Sequence, residues 1–285
     1  MQQLLKKIFH RIGWEKRRSL ASKAYAFDDI FGHKMFQNPF DDGIDIAPLQ
    51  GVPFKKLSRF GEFALIKRLR PGQVVLDLGA NIGYFTLLFA RQVGDSGHVY
   101  AFEPGPLSFL LLKKNIAING YRNITPINKA VSDKSEILDL WICLTGESDN
   151  RLDGVKHGHG DRFPVMTRCI ALDDELPRSL IVDYIKMDIQ GAEYRALLGM
   201  RGLIERSPQV SLLMEYGPGW LEAAGVSPND FFGLIEDMGL AMFDVPDEGP
   251  QAPVTREWLA ANIGRGDRSQ TNLILRRAIR SIERS

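Results

Sequence analysis

The sequence predicts an α/β fold, a mostly parallel sheet with helices on both faces. Three observations carry that prediction. The chain has 285 residues, 44% hydrophobic and 25% charged, which is ordinary globular composition and disfavours disorder or a fibrous structure. Short apolar runs without alternation, such as VVLDL at 74–78, suit strands buried on both faces. These runs alternate with helical patterns, which implies right-handed crossovers and a parallel sheet.

Taken in order, a loop-like region over 26–54 is rich in turn formers, including Gly32, Pro39, Gly43, Pro48 and Pro53. A helix over 58–69 stops at Pro71-Gly72. Then follow a strand at 74–78, a helix at 83–93, a strand at 98–102, a helix at 106–119 and a strand at 124–128. Further strands are expected at 138–144, 165–170, 181–187, 210–215, 240–245 and 272–275. Helices are expected from 192 and over 228–238. The loop at 154–160 (GVKHGHG) carries His157 and His159, a weak metal signal, and suits a loop that covers a substrate.

The net charge of +1 conceals an uneven distribution. Residues 1–23 hold seven basic residues and one acid, for +6, and residues 276–285 hold four arginines and one acid, for +3. The remaining residues, 24–275, therefore carry −8. The chain divides into a basic amphipathic arm and cap region (1–54), an acidic body (55–275) and a basic tail (276–285). In the arm, Leu4, Leu5, Ile8, Phe9 and Ile12 share one helical face, opposite basic residues. Such a helix packs on the body, or lies on an anionic membrane surface or a protein partner. There is no apolar run long enough to span a bilayer and no secretory signal, so a cytoplasmic protein is expected, with the arm available to the inner face of a membrane. Two cysteines, Cys143 and Cys169, are too few for a disulfide framework or a zinc site.

Chemistry concentrates at three places. In VVLDLGANIGYFT, residues 74–86, a buried strand ends at Asp77 and a tight turn carries Gly79, Asn81 and Gly83 into a helix. Glycines permit close approach of a ligand, and the helix start offers free N–H groups to an anion. The dinucleotide pattern G-x-G-x-x-G is not met, because Asn81 and Tyr84 occupy its second and third glycine positions. Glu103, 20 residues after Gly83 at the next strand end, suits two ribose hydroxyls. In IKMDIQGAE, residues 185–193, Asp188 ends a buried strand, Gly191 permits a turn and Glu193 enters the following helix, where an acid also favours helix initiation.

Together, D-x-G-A-N-I-G-Y-F-T, the acidic strand end, the segment Ala130-Val131-Ser132-Asp133 and the Asp188/Gly191/Glu193 pattern resemble the FkbM family of S-adenosylmethionine-dependent methyltransferases. The resemblance covers about residues 55–245. It departs at Gln190, where the family usually has Glu; Gln can neither act as a base nor hold a cation as strongly. The resemblance implies a Rossmann-like class I fold with a mostly parallel seven-stranded sheet. It also implies S-adenosylmethionine as cofactor and O-methylation of a hydroxyl on a sugar, polysaccharide or secondary metabolite.

On that reading Gly79, Asn81 and Gly83 serve the methionine end of the cofactor, Glu103 the ribose, and Asn128, Ala130 and Val131 the adenine, with Asp77 and Asp188 as further cofactor-binding residues. Asp188 stands near the methyl group as orienter or base, with Glu215 and Glu193 as further catalytic candidates. Asp188 and Glu215 together offer a place for a divalent cation; no metal ligand is assigned. The expected partner is a small-molecule or glycan acceptor, with acceptor contacts in 26–54, 144–164 and 246–270, where Asp247, Glu248 and Trp258 stand; Trp220 is a further candidate. The charge of the body and the lack of an N/D-P-P-Y/F segment disfavour nucleic-acid methylation. The alternatives are a catalytically inactive binding or scaffold protein of the same fold, or a nicotinamide-dependent oxidoreductase.

Overall fold

The computed structural model describes residues 27–30, 32–36, 66–143, 150–152, 162–246, 250–263 and 270–277. The arm at 1–23, the histidine loop at 154–160, Asp247 and Glu248 lie outside the described residues, as does most of the helix expected over 58–69.

The central unit opens with β3 (Val74–Leu78), preceded by the hairpin β1 (Phe27–Ile30) and β2 (His33–Phe36). Then come α1 (Tyr84–Val93), β4 (His98–Phe102), α2 (Pro106–Ile118) and β5 (Ile124–Ile127). A side sheet follows: β6 (Ala130–Val131), β7 (Glu136–Cys143), β8 (Arg151–Leu152) and β9 (Arg162–Ile170). The chain returns through α3 (Leu172–Glu175), β10 (Tyr184–Met187), α4 (Glu193–Leu198) and α5 (Arg201–Arg206) to β11 (Ser211–Tyr216). It ends with α6 (Pro218–Ala223), α7 (Pro228–Asp237), β12 (Leu240–Phe243), α8 (Arg256–Asn262) and β13 (Thr271–Arg277).

The main sheet has seven strands in the order β12-β13-β11-β10-β3-β4-β5. Its pairs are parallel except at β13, which runs antiparallel to both β11 and β12. Two halves that reverse order at β3/β10 give the doubly wound, Rossmann-like topology, with its crevice at the carboxyl edge.

Alternation along the strands sends side chains to two separate cores. Leu76, Leu78, Ile185, Met187, Leu212 and Met214 join α4, α5 and α7 on one face. Val75, Val99, Ala101, Tyr184 and Leu213 join α1 and α2 on the other. Both faces of the sheet are thus covered, as the uninterrupted apolar runs predict.

The structure corrects several element assignments. The region 26–54 is not all loop, since it contains β1 and β2. Met35 of β2 is buried in the α1/α2 core. Asn115 of α2 and Asn119, the residue that caps α2, lie one turn apart and hold β2 much as a neighbouring strand would. Asn119 accepts from Lys34 N–H (2.9 Å) and donates to its carbonyl (2.7 Å). Asn115 accepts from Phe36 N–H (2.6 Å) and donates to its carbonyl (3.1 Å). Arg276 and Arg277, counted in the basic tail, are the last residues of β13. The helix expected from 192 is two short helices, α4 and α5. Among the described residues no helix is long and apolar enough to cross a membrane, and both cysteines are buried.

Candidate functional site

Register alone assembles the site. Leu78 is level with Phe102 on one side and Met187 on the other, and Met187 is level with Met214. The next residue of each strand therefore falls on one row at the carboxyl edge: Glu103, Gly79, Asp188 and Glu215. Residues spread over 137 positions of sequence become neighbours because β3, β4 and β10 end level and β11 runs beside them in register.

The first half of the row is built on a turn. Gly79 has φ +80° and Gly83 φ +97°, both in the left-handed region. A Cβ at Gly79 would lie 1.9 Å from the Asp188 carbonyl oxygen, so this glycine lets the β3 and β10 ends meet. Asn81, also left-handed at φ +48°, directs its backbone N–H to Glu103 Oε2 at 2.8 Å. Gly105 N–H reaches Glu103 Oε1 at 2.7 Å. Asn128 donates to the carbonyls of Glu103 (2.8 Å) and Pro104 (3.1 Å), bracing the turn beneath that carboxylate. Ala130 and Val131 form β6 against β9 and are buried, Val131 in the sheet core. The neighbouring Asp133 pairs with Arg195 at 2.7 Å, and Arg195 also pairs with Glu136.

Asp77 is fully buried. Its Oδ2 accepts from Thr86 Oγ1 at 2.5 Å, while Oδ1 has no hydrogen-bond partner among the described residues. Burial pushes its carboxyl up, against the pull of Lys186 and the Thr86 hydrogen bond. Asn81 Oδ1 is a second buried acceptor with no donor among the described residues.

The second half is a network of acids around one carboxamide. Gln190, left-handed at φ +55°, donates from Nε2 to Asp188 Oδ1 at 2.7 Å and to Glu215 Oε2 at 3.1 Å. Lys186, buried beside Asp77, places Nζ 3.3 Å from Asp188 Oδ2 and 4.8 Å from the Phe85 ring centroid. Asp188 keeps 40% of its side chain exposed. Partial burial pushes its carboxyl up, but Lys186 and hydrogen bonds from Gln190 and Glu215 outweigh this and hold it below the usual range.

Glu215 behaves oppositely. Burial first, then the charges of Asp188 and Glu193, push it up to about 9, so near neutral pH it is protonated beside an ionised Asp188. Glu193 is buried and pushed up to about 7, chiefly by burial. Its two oxygens accept from the turn amides of Ile189 (3.3 Å) and Gly191 (2.8 Å). Glu193 thus closes the turn that presents Asp188 and Gln190.

The row contains the sequence candidates Gly79, Glu103, Asp188 and Glu215, with Asp77, Asn81, Gly83 and Glu193 immediately behind it. Sequence reading missed the contributions of Lys186 and Gln190. Lys186 sits two residues before Asp188 in an apolar strand, and a lysine in a strand buried on both faces is itself a signal that it has a partner. Gln190 stands out in the sequence only as a departure from the family pattern. Among the described residues no three histidine, cysteine or acidic side chains are grouped to hold a metal ion. Trp220 is buried, stacked with Arg151 at 5.2 Å, and Trp258 is 45% exposed on α8.

Comparison with known proteins joins this geometry to a family. The profile of the methyltransferase FkbM domain matches residues 77–242, more than half of the chain. The chain belongs to the FkbM methyltransferase family. A Streptomyces tacrolimicus relative, the 31-O-demethyl-FK506 methyltransferase FkbM, is 53% identical over 47 residues, 16% of this chain and 18% of that protein. Methyltransferase sdnD of Sordaria araneosa is 25% identical over 206 residues, 62% of this chain and 71% of that protein. The crystal structure of an FkbM methyltransferase from Methylobacillus flagellatus overlaps with a TM-score of 0.47 at 15% identity, covering 79% of this chain and 48% of that one. The chain thus spans only a small part of the Streptomyces relative and about half of the Methylobacillus chain. The FkbM profile begins at Asp77 and so includes the whole glycine turn.

Proposed function

We propose that this chain is an S-adenosylmethionine-dependent O-methyltransferase acting on a hydroxyl of a small molecule or glycan. The observation that carries the reading is the single row Glu103–Gly79–Asp188–Glu215 at the carboxyl edge of a doubly wound sheet. It combines a cofactor cradle with an ionised acid beside it.

The residues present fit the cofactor. The left-handed turn leads into the ten-residue helix α1, whose first N–H groups suit the amino-acid carboxylate. Asp77 Oδ1 and Asn81 Oδ1 are acceptors without donors among the described residues, which suits a nearby ammonium group. The Glu103 carboxylate, positioned by the turn amides of Asn81 and Gly105, is an acceptor group of the kind that suits ribose hydroxyls. Asn128 holds the Glu103–Pro104 turn in place for them.

When bound, the cofactor supplies an activated methyl group on sulfur, and a sulfur–carbon bond is exchanged for an oxygen–carbon bond. The protein must then align the acceptor oxygen and take its proton. Asp188 is the group for that work: it is ionised, partly exposed and level with the turn. Glu215, protonated and hydrogen-bonded to Asp188, keeps that charge on one carboxylate. Glu193 and Lys186 fix the turn and the Asp188 side chain as positioning residues.

The test is transfer of radiolabelled methyl from S-adenosylmethionine to a panel of sugars, glycans and hydroxylated metabolites. The reading expects a base-stable methyl ether as product. Label confined to carboxyl esters or to nitrogen would overturn the O-methyl ether assignment.

A further inference from the structure

We propose that Gln190 is a built-in substitute for a cation, a positioning residue whose carboxamide NH₂ occupies the point between Asp188 and Glu215 where a divalent ion would otherwise sit. For the use it gives to Asp188 this rests on the methyl-transfer reading; the geometry does not. Two acids from neighbouring strands converge at one row, and with one proton between them the remaining charge and lone pairs still call for a cation or a neutral donor. Here one nitrogen stands 2.7 Å from one carboxylate and 3.1 Å from the other. An NH₂ group carries two donor hydrogens, so one group satisfies both acids.

The backbone is arranged for it. Gln190 is one of two non-glycine residues with positive φ among the described residues, the other being Asn81 in the cofactor turn. A left-handed conformation at a long side chain is retained when the surroundings over-determine it. Glu193 supplies that determination, by accepting the amides on either side of Gln190. At the other oxygen of Asp188, the buried Lys186 provides a fixed positive charge at 3.3 Å. The acceptor-side acids are therefore held by an amide and an ammonium that are part of the chain.

The consequence is that one substitution converts the site. Gln190→Glu keeps the shape but replaces the bridging donor with a third carboxylate, so that three acids face one another without a bridge. Calorimetry with MnCl₂ on chelator-treated full-length protein reads this without an acceptor. Wild-type protein should show no Mn²⁺ binding that depends on Glu215. Q190E should bind Mn²⁺ at least about tenfold more tightly, and E215Q added to Q190E should abolish the gain.

A second variant, Gln190→Met, removes the donors at similar length. It should shift the pH at which the protonated-carboxyl infrared band disappears, whereas a residue with a packing role alone would leave that pH in place. Wild-type Mn²⁺ binding that is lost in Glu215→Gln would overturn the proposal, even if neither Gln190 variant folds. So would an unchanged infrared titration in folded Q190M. Absence of S-adenosylmethionine binding would instead remove the methyl-transfer reading and leave the Mn²⁺ result standing.

Discussion

Glu103 and Asp188 stand on the same row of the sheet with only β3 between them, yet they are held in different ways. Glu103 is gripped by two backbone amides and braced by Asn128 acting on backbone carbonyls. Asp188 is gripped by side chains, the carboxamide of Gln190 and the ammonium of Lys186. On the proposed function the first arrangement fixes a carboxylate for neutral, hydrogen-bonding ribose hydroxyls. The second tunes charge, since each side-chain partner changes which acid of the group is ionised. On the proposed function the comparison separates a binding half from a chemical half, and each half can be broken on its own.

The largest effect is expected on the chemical side. Asp188→Asn should lower turnover on the order of 10²–10⁴-fold, the range for a lost general base, and should reduce cofactor affinity much less. Equal losses in both would erase the distinction between the halves. Next is Gly79→Ala, at the joint between them. The left-handed backbone alone costs about 1–2 kcal/mol, and the contact with the Asp188 carbonyl adds to it, for a total of about 3 kcal/mol or more by chemical denaturation. A small loss there would mean that the two turns do not touch.

A pH effect follows from the raised acids. Glu193 and Glu215 bind protons more tightly folded than unfolded, so their contribution to stability is complete below about 4.5 and is lost as pH rises through about 7 and about 9, respectively. The melting temperature should therefore fall over that interval, and Glu193→Gln should flatten the part between about 4.5 and 7. A wild-type profile flat from about pH 5 to 9 would contradict the assignment of both acids. The smallest effect belongs far from the row. Asn119→Ala should loosen β2 by about 1 kcal/mol, seen as faster hydrogen exchange at Lys34, with turnover preserved.

The binding half was legible in the sequence because its geometry is local. Gly79, Asn81 and Gly83 lie within five positions, and the strand, turn and helix around them are each marked by residue type. Asp188 and Glu215 were legible as strand-end acids. Their meeting was not, because it depends on β10 lying between β3 and β11 and on the match of Met187 with Met214. The same limit hid Gln190, whose partners lie on two different strands, and Lys186, whose neighbour Asp77 is 109 positions away. The hairpin β1–β2 escaped because Gly32 and the proline-rich stretch after it signal turns, and β2, paired with β1, is tied to the body by Asn115 and Asn119 in place of the main sheet. The resemblance points to Asn128 for the adenine; what the sequence does not show is that its side-chain NH₂ donates to the carbonyls of Glu103 and Pro104.

The central claim is that the glycine turn and Glu103 form a cradle for S-adenosylmethionine. Titration calorimetry of the full chain with S-adenosylmethionine, run on wild type and on Glu103→Ala, tests it most directly. One binding site per chain is predicted, weakened in the variant by about 1–3 kcal/mol for lost charged hydrogen bonds. No heat of binding from folded wild-type protein, or equal affinity in the two proteins, would contradict it.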